Sequence, residues 1–204
     1  FASKAFHYVT KYDISIANYF SIDNDIEYKI YHKKKTLKYG CNPYQNNSGI
    51  YVNILNNFEE QNIPFEVLNG KPGYINYLDA INSWQSVKEA RDILCIPVSA
   101  SFKHTSPAGV GTSKPLSTIL KKTYNVENEK LSNVAISYIR AKNSDPLSSF
   151  GDFIAISDIV DECTANIIKK HVSDGIIAPG YTNEAIKILK SKKINDVDLI
   201  LELS

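Results

Sequence analysis

The sequence predicts an α/β fold with a mainly parallel sheet flanked by helices. In the second half of the chain, short apolar runs alternate with segments of helical spacing, which is the order that βαβ units produce. The strongest strand candidate is the apolar run 93–102, and the longest helix candidate is 75–94. A chain of 204 residues is long enough for one ordinary domain with a sizeable core.

The first half of the chain predicts one helix followed by strands. Apolar residues fall at helical spacing over 5–20, which indicates an amphipathic helix. Ile26, Tyr28 and Ile30 alternate with polar residues as in a strand, and the lysines at 33–35 are interpreted as a solvated turn that ends it. The remaining predicted elements are a linker over 21–25, a loop over 37–45, strands over 49–55 and 65–68, and a turn over 69–73.

The second half begins with the helix 75–94, whose apolar stripe includes Trp84, interpreted as a core residue. The polar, glycine-containing stretch 103–111 that follows the first strand is predicted to be a loop. The later predicted elements are helices over 115–124, 161–172 and 183–189, strands over 134–140, 153–156, 176–180 and 197–201, and a loop over 145–153.

Composition excludes several classes of protein. The formal net charge is +1, without the strongly basic face of a nucleic-acid-binding protein. No apolar stretch has the length of a membrane span. The three cysteines are far apart and form no Cys-x-x-Cys pair, which argues against a disulfide framework or a cysteine zinc site and favours a reducing, cytosolic setting. Because the sequence starts at Phe1 and has no methionine, we expect a fragment of a longer chain.

Lys103 and His104 stand side by side where the first strong strand is expected to end. Ligands of open α/β sheets collect at the carboxyl ends of parallel strands, and a cation beside an imidazole there suits catalysis. Adjacent side chains of a regular strand point to opposite faces, so the two can converge only if the strand is interrupted. Pro107, Gly109 and Gly111 allow such an interruption. The alternative is that Lys103 is a solvated strand end and His104 a hydrogen-bonded loop residue.

Five motifs occur in a specific order along the chain. They are Lys38-Tyr39-Gly-x-Asn-Pro-x-Gln, Leu68-Asn-Gly-x-Pro-Gly73, Ser101-Phe-Lys-His-x-Ser-Pro-Ala-Gly109, Ser148-Ser-Phe-Gly-Asp152 and Val172-Ser-Asp-Gly-Ile-Ile-Ala-Pro-Gly180. Together they closely resemble the eukaryotic form of the bifunctional purine-biosynthesis family, AICAR transformylase joined to IMP cyclohydrolase. The resemblance implies that 1–35 is the end of the cyclohydrolase domain with a linker, and that 36–204 is the first half of the formyltransferase region. It also implies a fold like that of cytidine deaminases, without their zinc.

The resemblance implies an enzymatic function. The family transfers a formyl group from 10-formyltetrahydrofolate, a co-substrate, to the 5-amino group of AICAR. By resemblance His104 is the general base, and Lys103 stabilises the charge on the formyl oxygen and helps to protonate the departing folate nitrogen. The resemblance further implies a parent with IMP cyclohydrolase activity and a homodimer with shared active sites, and a fold without the deaminase zinc. No metal is expected, and composition predicts neither a membrane nor a nucleic-acid partner and favours a cytosolic location.

The resemblance also marks nucleotide-binding positions. Lys38 and Tyr39 stand where the family has Arg-Tyr, and Lys keeps the charge of Arg but loses the forked geometry that suits a phosphate. Asn76, Gly151 and Asp174 match positions that line the nucleotide site. The alternatives for these three are a helix-start residue, a turn glycine and a capping or turn-forming aspartate.

The sequence also bears on three alternative functions for the chain. A zinc deaminase needs a His or Cys ligand with a Cys-x-x-Cys pair and a nearby Glu, and neither His-x-Glu nor Cys-x-x-Cys occurs. An unrelated α/β nucleotide-binding protein needs a Gly-x-Gly-x-x-Gly or P-loop motif, and neither occurs. The third alternative is a nucleotide-binding or dimerisation fragment without turnover of its own, because the family's formyltransferase region is about twice as long as the match.

Overall fold

The computed structural model describes residues 1–21, 28–53, 63–191 and 199–203. The chain forms two compact units, one made of Phe1–Thr36 and Asn47–Ile63 and the other of Leu37–Asn46 and Pro64–Ser204. The assignment of 1–35 and 36–204 to two regions of a longer enzyme stays a prediction.

The first unit contains the helix α1, Ala2–Phe20, and a two-stranded antiparallel sheet of β1, Tyr31–Thr36, and β2, Gly49–Asn53. The predicted helix over 5–20 is confirmed. The predicted turn at the lysines 33–35 is wrong, since these residues lie in β1 and pair with β2. Every residue of β1 is exposed, so the strand lacks the alternation of buried and exposed positions that sequence analysis detects.

The predictions around these strands have mixed outcomes. Residues 28–30 of the predicted strand 26–30 have no strand structure, and residues 26–27 lie outside the described residues, as do 54–55 of the strand predicted over 49–55.

The second unit alternates strands and helices, which confirms the α/β class. Its elements in chain order are β3 Phe65–Asn69, α2 Tyr74–Leu94, β4 Val98–Lys103, β5 Ser106–Thr112, α3 Thr118–Thr123, α4 Asn133–Lys142, β6 Asp152–Ile156, α5 Glu162–Ile168, β7 Ser173–Ala178, α6 Asn183–Lys190 and β8 Leu199–Leu203. The strands form one six-stranded sheet in the order β3-β8-β7-β6-β4-β5.

The sheet is mixed, so the prediction of a mainly parallel sheet is wrong. The pairs β6–β7 and β7–β8 are parallel, whereas β3–β8, β4–β5 and β4–β6 are antiparallel. The stretch 103–111 explains part of the difference, because most of it is the strand β5 and not the predicted loop. A connection this short between β4 and β5 can only produce an antiparallel pair. The expected likeness to cytidine deaminases stays a prediction.

The core surrounds β6, of which every residue is buried. Ile154 and Ile156 belong to a cluster with α4, α5 and α6, and α2 covers the other face of the sheet. Phe153 is 1 % exposed, and burying a side chain of this type stabilises the folded state by about 1.5–3 kcal/mol. The apolar residues of β6 therefore fix the position of Asp152, the buried polar residue at the start of the strand.

The segment predicted as a strand over 134–140 is the helix α4, so that prediction is wrong. Ser132 caps the helix by accepting the N–H of Ala135 at 3.1 Å. Most residues of the helix are buried: Val134, Ala135, Ser137, Tyr138, Ile139, Ala141 and Lys142. The β-branched and aromatic residues favoured a strand, and tertiary packing overrode this local preference.

The helix α2 confirms the predicted helix over 75–94, although its buried stripe differs from the prediction. Val87 is fully buried, Trp84 is partly buried, and Ile81 is 40 % exposed. The buried residues of α2 are Tyr77, Asp79, Ala80, Ser83 and Val87. The buried stripe therefore contains a charged residue, Asp79, whose contacts are described with the candidate site.

The glycines of β5 serve helix packing, and the β4–β5 ladder is interrupted beside Gly109, where its register shifts between the pairs Ser101–Gly109 and Phe102–Pro107. A Cβ atom at Gly109 would collide with the carbonyl oxygen of Ala141, and one at Gly111 would collide with that of Ser137. Only glycine therefore lets the backbone of α4 approach β5 this closely.

All three cysteines, Cys41, Cys95 and Cys163, lie in the described part of the chain and are unpaired thiols. Among the helices of the described residues, none combines the length and the apolar character needed to cross a membrane.

Candidate functional site

Lys103 and His104 lie at a two-residue hairpin turn. Lys103 ends β4 and pairs with Ser106, the first residue of β5, so His104 and Thr105 form the connection. Both have positive φ, 53° for His104 and 61° for Thr105, as in a type I′ turn. Such turns favour Asn and Gly, and positive φ is rare for a β-branched residue such as Thr105. The turn therefore holds a strained conformation, and residues of this kind cluster at functional sites.

Asp79 of α2 holds this turn in place. Its Oδ1 accepts the N–H of Thr105 at 2.6 Å, and the residue is 7 % exposed. Burial raises the pKa of Asp79, while the Thr105 hydrogen bond and the charges of His104 and Lys103 act in the opposite direction. The carboxylate thus supports the strained backbone of the turn that carries His104.

His104 lies at the tip of the β4–β5 hairpin. The residue is exposed, and its ring forms no hydrogen bond within the described part of the chain. A ring nitrogen in this position is accessible to a substrate proton.

The ammonium of Lys103 binds the loop that precedes β6. Its Nζ donates to the carbonyl oxygen of Phe150 at 2.5 Å, and among the described residues Lys103 forms no ion pair. Because its hydrogen bond goes to an uncharged oxygen, the lysine can still offer its positive charge to a bound anion or to a developing oxyanion.

Gly151 lies between Lys103 and Asp174. A Cβ atom on Gly151 would lie 3.6 Å from Lys103 Nζ and 3.8 Å from Asp174 Oδ1, so both side chains face the same side of this glycine. Gly151 has a φ of 65°, a conformation that glycine adopts readily. Three of the predicted site residues therefore meet at one point. Together with His104, the next residue along the chain from Lys103, they are called the Lys103 group.

The strand directions explain why these residues meet. Phe102 pairs with Phe153 in the antiparallel β4–β6 ladder, and Asp152 pairs with Ser173 in the parallel β6–β7 ladder. The carboxyl end of β4 consequently lies beside the amino ends of β6 and β7. The expectation that the site lies at the carboxyl ends of parallel strands is therefore wrong, because β4 runs against its neighbours.

Asn76 occupies a structural position at the start of α2. Its Oδ1 accepts the N–H of Gly73 at 2.9 Å, which satisfies a backbone donor at the helix start. Asn76 precedes Asp79 by one helical turn, so the two lie on neighbouring positions of the helix surface. The side-chain oxygen is thus occupied, as the helix-start alternative expected.

Lys38 and Tyr39 lie in the loop Leu37–Asn46 of the second unit. Lys38 Nζ lies 5.7 Å from the centroid of the Tyr39 ring, and the loop closes through a hydrogen bond from Gly40 N–H to the Gln45 carbonyl at 3.0 Å. Within the described residues, no hydrogen bond or ion pair joins Lys38 or Tyr39 to Lys103 or His104. The structure therefore does not bring this predicted pair into the Lys103 group.

Sequence analysis missed two buried charged residues, Asp79 and Lys142. The signal for Asp79 is its place on the buried stripe of α2, four residues before Ser83. Lys142 donates to Asp152 Oδ1 at 2.9 Å, directly beneath the Lys103 group, and the strand assigned over 134–140 ended before it. An aspartate immediately before the apolar run of β6 was the available signal for this pair.

Other features of the surface do not coincide with this site. A cavity of about 290 Å³ is lined by residues of α3, α4 and α5 and their connections, including Tyr124, Ile139 and His171, and by none of the predicted site residues. Within residues 1–21, 28–53, 63–191 and 199–203, no group of three His, Cys, Asp or Glu side chains has a metal-binding arrangement.

The fold and the Lys103 group define an α/β protein with a charged polar site at one end of a mixed sheet. Residues 1–202 match the profile of the AICARFT/IMPCHase bienzyme family, and the chain therefore belongs to that family.

Bifunctional purine biosynthesis proteins PurH of Clostridium botulinum are similar to this chain. The protein of strain Okra is 29 % identical over 195 residues, and that of strain Hall is 30 % identical over 195 residues. Each alignment covers 94 % of this chain and 34 % of the relative. The chain thus spans about a third of the length of the curated relatives it matches.

Proposed function

We propose that the chain supplies the catalytic pair and part of the nucleotide site of a formyltransferase. The reaction transfers a formyl group from 10-formyltetrahydrofolate to the 5-amino group of AICAR, a step of IMP biosynthesis. The observation that carries the proposal is the convergence of Lys103, Gly151 and Asp174 beside His104, in a chain of the AICARFT/IMPCHase family.

His104 is the general base of the proposed reaction. The 5-amino group of AICAR is conjugated with its ring and carboxamide, so it is a poor nucleophile and must lose a proton as its nitrogen bonds to the formyl carbon. A positioned imidazole accelerates such a proton transfer by about 10²–10⁴-fold. The exposed ring on a turn fixed by Asp79 suits this role.

Lys103 stabilises the negative charge that develops on the formyl oxygen. As the new carbon–nitrogen bond forms, the electrons of the carbonyl move to that oxygen, and a fixed ammonium lowers the energy of the resulting anion. When the carbonyl reforms, the bond to the folate nitrogen breaks and this nitrogen takes up a proton, which Lys103 can supply. The hydrogen bond to Phe150 keeps the ammonium at one position.

The remaining predicted residues are proposed to bind the nucleotide. Asp174 can accept hydrogen bonds from ribose hydroxyls or ring amines, and Gly151 allows a ligand to approach the backbone closely. Lys38 is proposed to contact the phosphate and Tyr39 the nucleotide, although neither is joined to the Lys103 group. Asn76 can add a contact only through the part of its amide that the Gly73 bond leaves available.

We further propose a cytosolic homodimer with shared active sites and with IMP cyclohydrolase activity in the complete protein. These features are supported by family membership alone. A second candidate, a nucleotide-binding or dimerisation fragment without turnover, is favoured by one observation, namely that the chain spans about a third of its relatives.

The test is an assay of the complete protein for AICAR binding and for formyl transfer, with Lys103→Met as the variant. We expect transfer in the wild type and a loss of about 10²–10³-fold in kcat in the variant, the effect of removing one oxyanion donor. Lys122→Met, an exposed lysine of α3, is the matched control and should retain full activity. Binding without transfer would favour the second candidate, and the absence of both would reject the proposed function.

A further inference from the structure

Beneath the Lys103 group lies a second lysine that is almost completely buried. The side chain of Lys142 is 8 % exposed, and its Nζ donates to the carbonyl oxygen of Ser149, to Asp152 Oδ1 at 2.9 Å and to the carbonyl oxygen of Val172 at 3.4 Å. An ammonium has three protons, so every donor of Lys142 has an acceptor. Burying an ammonium group costs much free energy unless it is paired and hydrogen-bonded in this way.

Each oxygen of the carboxylate that pairs with Lys142 has a hydrogen-bond partner. Asp152 is completely buried, and its Oδ2 accepts the hydroxyl of Ser101 at 2.5 Å. Ser101 Oγ also lies 2.8 Å from Ser149 Oγ. The contacts of Ser101, Lys142, Ser149 and Asp152 therefore link four parts of the fold inside the core: β4, α4, the loop before β6, and β6 itself.

These contacts join the two segments that flank Gly151. The Val172 carbonyl accepts both Lys142 Nζ and the Gly151 N–H, the latter at 3.2 Å. On the other side, Lys142 and Lys103 bind successive carbonyls, those of Ser149 and Phe150. One lysine thus fixes the loop from inside the core, and the other meets it at the surface.

We propose that Lys142 is a positioning residue for the nucleotide site. It holds the segment Ser149–Gly151 against the segment Val172–Asp174, so that the Lys103 ammonium and the Asp174 carboxylate keep their places beside Gly151. The inference rests on the proposed function, since it assigns a role in AICAR binding. A buried ion pair with a purely structural role would affect stability and leave nucleotide binding unchanged.

The variants must separate these two roles. Lys142→Met alone leaves the Asp152 carboxylate buried without a cation, which strongly destabilises a fold. The double variant Lys142→Met/Asp152→Asn removes both charges and keeps the side-chain volumes, yet it still lacks a donor for the Ser149 and Val172 carbonyls. Lys170→Met is the control, because Lys170 is a surface lysine with its own ion pair, to Glu129 at 2.8 Å.

The test measures steady-state kinetics for AICAR and the amide exchange rate of Gly151 in the complete protein, under conditions where circular dichroism shows that each variant is folded. In the double variant we expect the KM for AICAR to rise at least about tenfold, equivalent to about 1.4 kcal/mol of binding free energy, with kcat less affected. The Gly151 amide should exchange at least about tenfold faster, because its acceptor is no longer fixed. The Lys170 variant should match the wild type in both measurements.

Two results would overturn the inference. A folded double variant with a KM within about twofold of the wild type would show that the pair is structural only. Unchanged exchange at Gly151 would show that Lys142 does not hold the two segments, whatever the activity of the wild type. Failure of the proposed function is a separate result, seen as a wild-type protein that neither binds AICAR nor transfers a formyl group.

Discussion

Asp79 and Thr105 are joined by a hydrogen bond of 2.6 Å from the Thr105 N–H to the Asp79 carboxylate. The bond connects a buried position of α2 to the tip of the β4–β5 hairpin, where two consecutive residues have positive φ. The turn has neither of the residues that favour this conformation, so part of its stability comes from this long-range contact. The position of His104 therefore depends on a residue 25 positions earlier in the sequence.

Replacing Asp79 by alanine should reduce activity, because the turn that carries His104 loses a hydrogen bond. In Asp79→Ala the Thr105 N–H loses its partner, which we expect to lower the free energy of unfolding by about 1–3 kcal/mol. The turn also loses its anchor, and a displacement of a catalytic group of about 1 Å can lower the rate about 100-fold. Asp79→Asn keeps an acceptor oxygen and should retain most of the kcat. Equal kcat values for the Ala and Asn variants in the formyl-transfer assay would contradict this role.

The same residue predicts a pH dependence of stability. Burial raises the pKa of Asp79 above its ordinary value of 3.8, so the folded state binds its proton more tightly than the unfolded state. The resulting stabilisation is present below pH 3.8 and is lost as the pH rises through the pKa of the folded state. Asp79→Asn cannot titrate at this position. In urea unfolding, the free energy of unfolding of the wild type relative to this variant should therefore fall as the pH rises. A relative free energy that rises with pH would contradict the raised pKa of Asp79.

Gly151→Ala should weaken nucleotide binding. The new Cβ would lie at ordinary contact distance from Lys103 Nζ and Asp174 Oδ1, 3.6 Å and 3.8 Å, and would occupy the space between them. Its positive φ would also lower stability by about 1–2 kcal/mol. Gly70→Ala is the control, because Gly70 has a φ of 82° in a turn distant in sequence from β6. We expect both variants to lose stability but only Gly151→Ala to raise the KM for AICAR. Equal KM values would place Gly151 outside the site.

Cys95→Gly should stabilise the fold. Cys95 is the residue at which α2 ends, and its φ of 56° and ψ of 26° form a left-handed cap that glycine favours. Relief of the backbone cost, about 1–2 kcal/mol, outweighs the entropy lost by glycine, about 0.5–1 kcal/mol. Cys41→Gly makes the same substitution at an exposed loop residue without positive φ and should not stabilise. Thermal unfolding of both variants measures the difference, and a lower Tm for Cys95→Gly would contradict the expectation.

Sequence patterns predicted the elements that have a single buried face or a strong apolar run. The helix α2 and the strand β6 were predicted close to their observed bounds because spacing and apolar content agree with the fold. The helix α4 was missed because Val134, Ile136 and Ile139 favour a strand locally, while the helix is selected by packing against β5. The sequence also did not predict that β4 runs antiparallel to β6, because the apolar run of β4 does not specify the direction of its partner strand.

In the candidate site, too, some residues were marked by local sequence motifs, whereas others have roles that depend on contacts distant in sequence. Lys103, His104, Gly151 and Asp174 became candidates because motifs mark them in the sequence. Asp79 and Lys142 act through partners 26 and 10 residues away, so their roles follow only from the folded chain. Asp79 was missed because the buried stripe of α2 was assigned to other residues, and Lys142 was missed because most of α4 was assigned to a strand.

The proposed role of His104 as the base of a formyl transfer is tested most directly by single-turnover transfer in the complete protein with His104→Ala. The rate should fall by about 10²–10⁴-fold, while the Kd for AICAR, measured by calorimetry, changes less than about threefold. His7→Ala, an exposed histidine of α1, should behave as the wild type. A near-normal rate in His104→Ala, with AICAR still bound, would show that the hairpin is a scaffold and that another group accepts the proton.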